Sequence, residues 1–147
     1  MQRNASAKAL AILIVGGAFF LGACSGKAGA PTPGNAVVHV TAGEWQFKPS
    51  MTKAPAGPVT FLVANQGKVE HELVLLKTDK SAKGLAVQPT GKVDEAAAGE
   101  NVGEVEVEAG VTGASTFNLA AGHYVFICNL PAHYSQGMFG DFTVTGS

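Results

Sequence analysis

The chain has 147 residues, with 10 Lys plus Arg against 11 Asp plus Glu and a formal net charge of -1. That length suits one domain and hardly two, and the charge balance excludes a basic nucleic-acid surface as its main business. Charged residues make up 14% and hydrophobic residues 46%, unlike a disordered chain, and two Cys are too few for a disulfide framework or a paired CxxC zinc site.

Arg3 and Lys8 form a positive start, followed by the uncharged apolar run Ala9–Leu21. That run is shorter than the about 20 residues a membrane helix needs, so residues 1–23 read as a signal peptide. It ends at Leu21-Gly22-Ala23-Cys24, which resembles the bacterial lipobox. The resemblance implies cleavage before Cys24, lipid on its sulfur and an extracytoplasmic protein anchored to a bacterial membrane, at the outer face of the cell membrane or in the periplasm. Ordinary secretory cleavage after Ala28-Gly29-Ala30 is opposed by Pro31. Residues 24–35 are Gly, Ala, Pro and polar, a flexible tether, and residues 36–147 form the folded domain.

The body predicts short strands. Val37–Thr41 is β-branched, and Trp45–Phe47 alternates until Lys48-Pro49. Pro58–Asn65 alternates over its whole length and stops at the turn Asn65-Gln66-Gly67. Glu72–Lys77 is apolar on both faces, as in a strand covered on both sides. Glu104–Glu108 alternates strictly, with one wet face. Ser115–Leu119, Tyr124–Cys128 and Asp141–Thr145 bring the total to about eight. One short helix is expected around Asp94–Ala98. Thr78–Gly103, rich in Lys, Gly and Ala, reads as a long insertion before the last strands. Regular short strands with Gly/Pro turns indicate an all-β sandwich or barrel.

The chemistry concentrates near the C-terminus. Past Cys24, Cys128 is the one remaining thiol, and it opens a Cys-x4-His-x4-Met spacing with His133 and Met138. His71 lies far upstream, after a turn and at the start of an apolar strand. Singly, each has a bland alternative: a core or surface imidazole, a small buried thiol, a core thioether. Jointly, a thiolate and two imidazoles suit copper in both oxidation states, and a weak axial thioether completes a blue-copper site. His39 and His123 fall outside this spacing and read as structural.

With Phe47-Lys48-Pro49, Gly57-Pro58-Val59-Thr60-Phe61, Asn65-Gln66-Gly67, His71, Tyr124-Val125-Phe126-Ile127-Cys128 and His133-x4-Met138, the chain resembles the blue-copper cupredoxins from about Val37 to Thr145. The ligand spacing is more similar to auracyanin and rusticyanin than to plastocyanin. The resemblance implies a Greek-key β-sandwich binding one type 1 copper ion and shuttling single electrons. Carried over by position, His71, Cys128 and His133 are the strong ligands and Met138 the axial one. It also implies an apolar surface beside His133 through which electrons cross, formed by Leu130, Pro131, Ala132 and Phe139.

Many cupredoxins carry Asn after the first His and Ser or Thr after the Cys; this chain has Glu72 and Asn129. The exchanged polarity suggests that the Asn129 side chain donates to Glu72. Pro131 leaves Leu130 its N–H, so amides of Glu72 and Leu130 are expected to face the thiolate. The acidic residues Asp94, Glu95, Glu100, Glu104, Glu106 and Glu108 read as a solvated face, with steering of a basic partner as the alternative.

The leading expectation is therefore an electron carrier rather than an enzyme. Its partners would be redox proteins such as a c-type cytochrome or a membrane oxidoreductase, and nothing demands more than a monomer. A copper-binding or copper-delivery lipoprotein is the first alternative. A copper oxidase would need His-x-His pairs, which are missing among 4 His, and a Cys-His hydrolase lacks an orienting third group.

Overall fold

The structure is a computed structural model and describes residues 35–146. The lipobox, Cys24 and the signal peptide lie outside the described residues. Among the described residues, nine strands form two packed sheets. The first has the order β2 (Gln46–Pro49), β1 (Ala36–Gly43), β4 (Gly57–Asn65), β7 (Thr112–Leu119). The second has the order β3 (Lys53–Pro55), β9 (Phe139–Thr145), β8 (Gly122–Ile127), β5 (His71–Lys77), β6 (Glu100–Val107). Pairs β1–β4 and β3–β9 are parallel and the rest antiparallel, so the chain crosses repeatedly between sheets.

Period-two alternation builds the core. Val38, Val40 and Ala42 of β1 and Val59, Phe61 and Val63 of β4 point inward. They meet Leu73 and Leu75 of β5, Val105 and Val107 of β6, Tyr124 and Phe126 of β8, and Phe142 and Val144 of β9. A fully buried aliphatic or aromatic side chain contributes about 1.5–3 kcal/mol of transfer free energy, which gives this seam its cohesion.

Two expectations are corrected. β3, three residues ending in Pro55, carries too little pattern to read from sequence, and it makes the ninth strand. β6 starts at Glu100 rather than Glu104, because residues 100–103 pair with Lys77, Leu76 and Leu75 around a bulge. The insertion therefore ends at Gly99. It holds a 3-10 turn at Ala82–Gly84 and the short helix α1 (Glu95–Ala98), whose preceding Asp94 accepts from the Ala97 amide.

The insertion explains why β5 is apolar on both faces. Leu73 and Leu75 face the other sheet, whereas Val74 and Leu76, with Val125 and Ile127 of β8, face outward. Ala82, Leu85, Val93 and Ala98 of the insertion cover them in a second hydrophobic cluster, which Tyr134 joins.

Candidate metal centre

Three segments at one end of the second sheet converge. β5 and β8 pair antiparallel with Val74 opposite Ile127, so the start of β5 lies beside the end of β8. His71 opens β5 and Cys128 follows β8 directly. The link ahead of His71 is held by buried Asn65, whose side-chain amide donates to the carbonyls of Val69 and Val107 and whose oxygen accepts from the Gly67 amide.

The loop from Cys128 to Met138 folds back on itself. The Cys128 amide donates to the Met138 carbonyl at 2.9 Å, and the His133 amide donates to the Leu130 carbonyl at 3.1 Å. Ala132 takes a left-handed conformation at φ 68° and starts the single turn α2 (His133–Gln136). Met138 is fully buried in the same core cluster as Cys128.

His133 Nδ1 lies 3.1 Å from Cys128 Sγ and 3.3 Å from His71 Nδ1. One donor atom from each of the three residues fits within 4.8 Å of the others. His71 and Cys128 are fully buried and His133 partly so. A thiol and two imidazole nitrogens turned toward one another, with no carboxylate among them, form the soft N₂S donor set that copper takes. The residues present fit a type 1 copper ion.

Burial shapes the protonation of all three. It pushes the Cys128 thiol above its ordinary value, and the amides of Glu72 and Leu130 act the other way. The Glu72 amide donates to the sulfur at 3.5 Å. Burial also lowers both imidazoles, with repulsion from His133 adding to the effect on His71. The imidazoles are thus held neutral, with lone pairs available to a cation.

The expected Asn129–Glu72 side-chain link is not what forms. The Asn129 side chain turns into the insertion, accepting from the Val93 amide at 2.6 Å and donating to the Val93 carbonyl and Glu95 Oε1. Only its backbone amide serves Glu72, whose half-buried carboxyl is raised chiefly by burial and also by Glu104 and Glu95, against Lys92 and that amide. The insertion supplied better partners, and sequence alone could not place it.

Two further contacts join the insertion to the ligand loop. The Ala132 amide donates to the Gly91 carbonyl at 3.0 Å. Gly91 has φ +81°, and a Cβ there would lie 2.9 Å from the Ala132 nitrogen, so the site requires glycine. The Tyr134 hydroxyl accepts from the Leu85 amide at 3.0 Å and donates to the Ala82 carbonyl at 2.6 Å.

Of the four residues expected to form an apolar patch, Pro131 and Ala132 are exposed. Leu130 is half-buried against the main core, and Phe139 packs on Tyr134 with ring centroids 5.0 Å apart. Sequence reasoning missed Trp45, which is no ordinary strand residue. It lies in the β1–β2 turn, with its ring centroid 4.8 Å from that of His133 and 6.3 Å from that of His71, both edge-on. Its being the sole Trp was the one available signal. His123 is structural, bridging the Thr78 carbonyl and Asp141.

The family model for copper binding proteins of the plastocyanin/azurin family matches residues 35–145. Two relatives described as copper-resistant cuproprotein CopI are similar to this chain. That of Rubrivivax gelatinosus is 35% identical over 101 residues, covering 67% of this chain and 59% of the relative. The chain thus spans less than two thirds of that relative's length. That of Pseudomonas aeruginosa is 28% identical, covering 84% of this chain and 83% of the relative. Among solved structures, auracyanin B superposes with a TM-score of 0.55 at 28% identity, covering 79% of this chain and 92% of that one. Rusticyanin from Thiobacillus ferrooxidans gives 0.53 at 23% identity, covering 76% and 79%, a likeness of fold alone.

Proposed function

The chain belongs to the plastocyanin/azurin family of copper-binding proteins, and we propose that it is a mononuclear electron carrier whose single type 1 copper is held by His71, Cys128 and His133, with Met138 as the axial ligand. The observation that carries this reading is the convergence of two imidazole nitrogens and one thiol within 4.8 Å, with His71 and Cys128 buried and His133 partly so. When bound, copper supplies a Cu(II)/Cu(I) couple.

The protein residues provide the frame. Burial lowers the pKa of His71 and His133 and raises that of the Cys128 thiol, and the amides of Glu72 and Leu130 partly offset the rise at Cys128. The ligand loop is tied to strand and insertion at several points, so its donors are already assembled and little needs to move as charge changes. In this reading the protein transforms no substrate. Its partners are redox proteins such as a c-type cytochrome, meeting it as a monomer at the exposed Pro131 and Ala132 beside His133. It is carried outside the cytoplasm on a lipid at Cys24.

A second reading is favoured by one specific observation: both relatives above are named for copper resistance. In that reading the same ligands bind or pass on extracytoplasmic copper without an electron-transfer role.

The test is a visible spectrum of the protein titrated with Cu(II). An intense thiolate-to-copper band, bleached by ascorbate and restored by oxidant, is expected, and Cys128→Ser abolishes it. A band with no reversible one-electron couple leaves the copper-handling reading. Absence of any band from folded protein refutes the electron-carrier reading and moves the balance to copper handling.

A further inference from the structure

Trp45 occupies a position that neither the ligand set nor the core requires. Its turn joins β1 to β2 in the sheet that supplies none of the three converging side chains, yet it reaches across to them. Trp45 is 38% exposed, whereas His71 beneath it is fully buried. It meets the ring of His133 at 66° and that of His71 at 86°, so a single side chain stands over both imidazoles.

The turn is tied down from outside the site. Glu44 Oε1 accepts from the Lys68 amide at 2.5 Å and the Val69 amide at 3.2 Å, in the link just before His71. Those amide bonds hold the Glu44 carboxyl below its ordinary value, so it stays an anionic acceptor. A Cβ on Gly67 would lie 2.6 Å from that oxygen, so glycine there allows the approach. On the other side the Trp45 carbonyl packs against Gly137, which ends α2 of the ligand loop. The turn therefore bridges both ligand-bearing segments. His71 Nε2 is buried with no hydrogen-bond partner among the described residues, so that side of the ring is held by packing, and its Nδ1 faces His133 Nδ1 at 3.3 Å.

We propose that Trp45, anchored through Glu44, is a fixed lid over the two imidazoles that limits how fast small ligands and chelators reach the donor atoms. The proposal rests on the copper reading of the site for its exchange kinetics, though not for imidazole access. As a shielding residue it acts through the rings of His133 and His71, which it faces edge-on. A partly exposed indole at a turn contributes little to the core, so it can be removed without collapsing the sandwich.

Two measurements on the whole protein test it, each on wild type, Trp45→Ala and Trp45→Phe. In the metal-free protein, diethyl pyrocarbonate modification is followed residue by residue by mass spectrometry, with His39 and His123 as internal controls. Trp45→Ala is expected to speed modification of His133 by about tenfold, as loss of an aromatic cover allows, with the controls unchanged and Trp45→Phe close to wild type. In the Cu(I) protein, transfer to bicinchoninate is expected to accelerate in the same order, and copper is expected to quench the emission of this sole Trp in wild type. Equal His133 modification in all three proteins overturns the lid, whether or not copper binds. Faster modification with no copper uptake by wild type refutes the copper reading and leaves the lid standing. Should Trp45→Ala fail to fold by circular dichroism, Trp45→Leu replaces it, with the same outcome required.

Discussion

Buried His71 and half-buried His133 are both lowered in pKa below the ordinary histidine value of 6.5, chiefly by burial. In copper-free protein the unfolded chain then binds more protons than the folded one between those lowered values and 6.5. Stability that is complete above 6.5 is therefore lost as pH falls through that window. Denaturant midpoints measured against pH should decline on the acid side of 6.5, and replacing both residues with Gln should flatten the decline. Glu72 acts in the opposite sense. Its folded pKa is raised above 4.5, so its contribution is present below 4.5 and lost as pH rises through the folded value. The double replacement separates the two, because it leaves Glu72 in place.

Among the elements, the insertion between β5 and β6 does two things at once. Ala82, Leu85, Val93 and Ala98 cover the outer face of β5 and β8. Asn129, Ala132 and Tyr134 of the ligand loop are each hydrogen-bonded to it. Tyr134→Phe removes the hydroxyl and leaves the buried Leu85 amide and Ala82 carbonyl without that partner. The expected cost is on the order of 1–3 kcal/mol, read as a lower denaturant midpoint. Amide exchange from the ligand loop should quicken while that of β4 does not, because β4 lies in the other sheet. Uniform loss of protection would mean that the bonds support global stability only.

At the scale of the whole molecule, the site joins parts of the chain that are far apart in sequence. His71 opens one strand and Cys128 directly follows its neighbour in the same sheet, and Trp45 comes from a turn of the other. An unfolded chain has no such assembly, so a copper ion binds the folded state far better. Free copper at about 100-fold above its dissociation constant should add about 2.7 kcal/mol of stability. The melting temperature should rise by several degrees in wild type, and the rise should largely vanish in Cys128→Ser. An equal rise in both proteins would place copper elsewhere than at this thiol.

Much of this was legible in the chain. Alternation in Pro58–Asn65 and Glu104–Glu108 reported one buried and one wet face, because side chains of a strand point alternately to its two sides. The Cys-x4-His-x4-Met spacing with a distant His named a donor chemistry, because copper selects ligand types that other roles do not combine. The doubly apolar Glu72–Lys77 announced a cover on its outer face without saying what it was. Tertiary structure alone decided that residues 78–99 are that cover, that Asn129 turns to Val93 and Glu95 instead of Glu72, and that Trp45 lies over the imidazoles. The physical reason is range. Periodicity and ligand type are local properties of the chain. The partner a polar or aromatic side chain finds depends on which distant segment packing brings within a few ångströms.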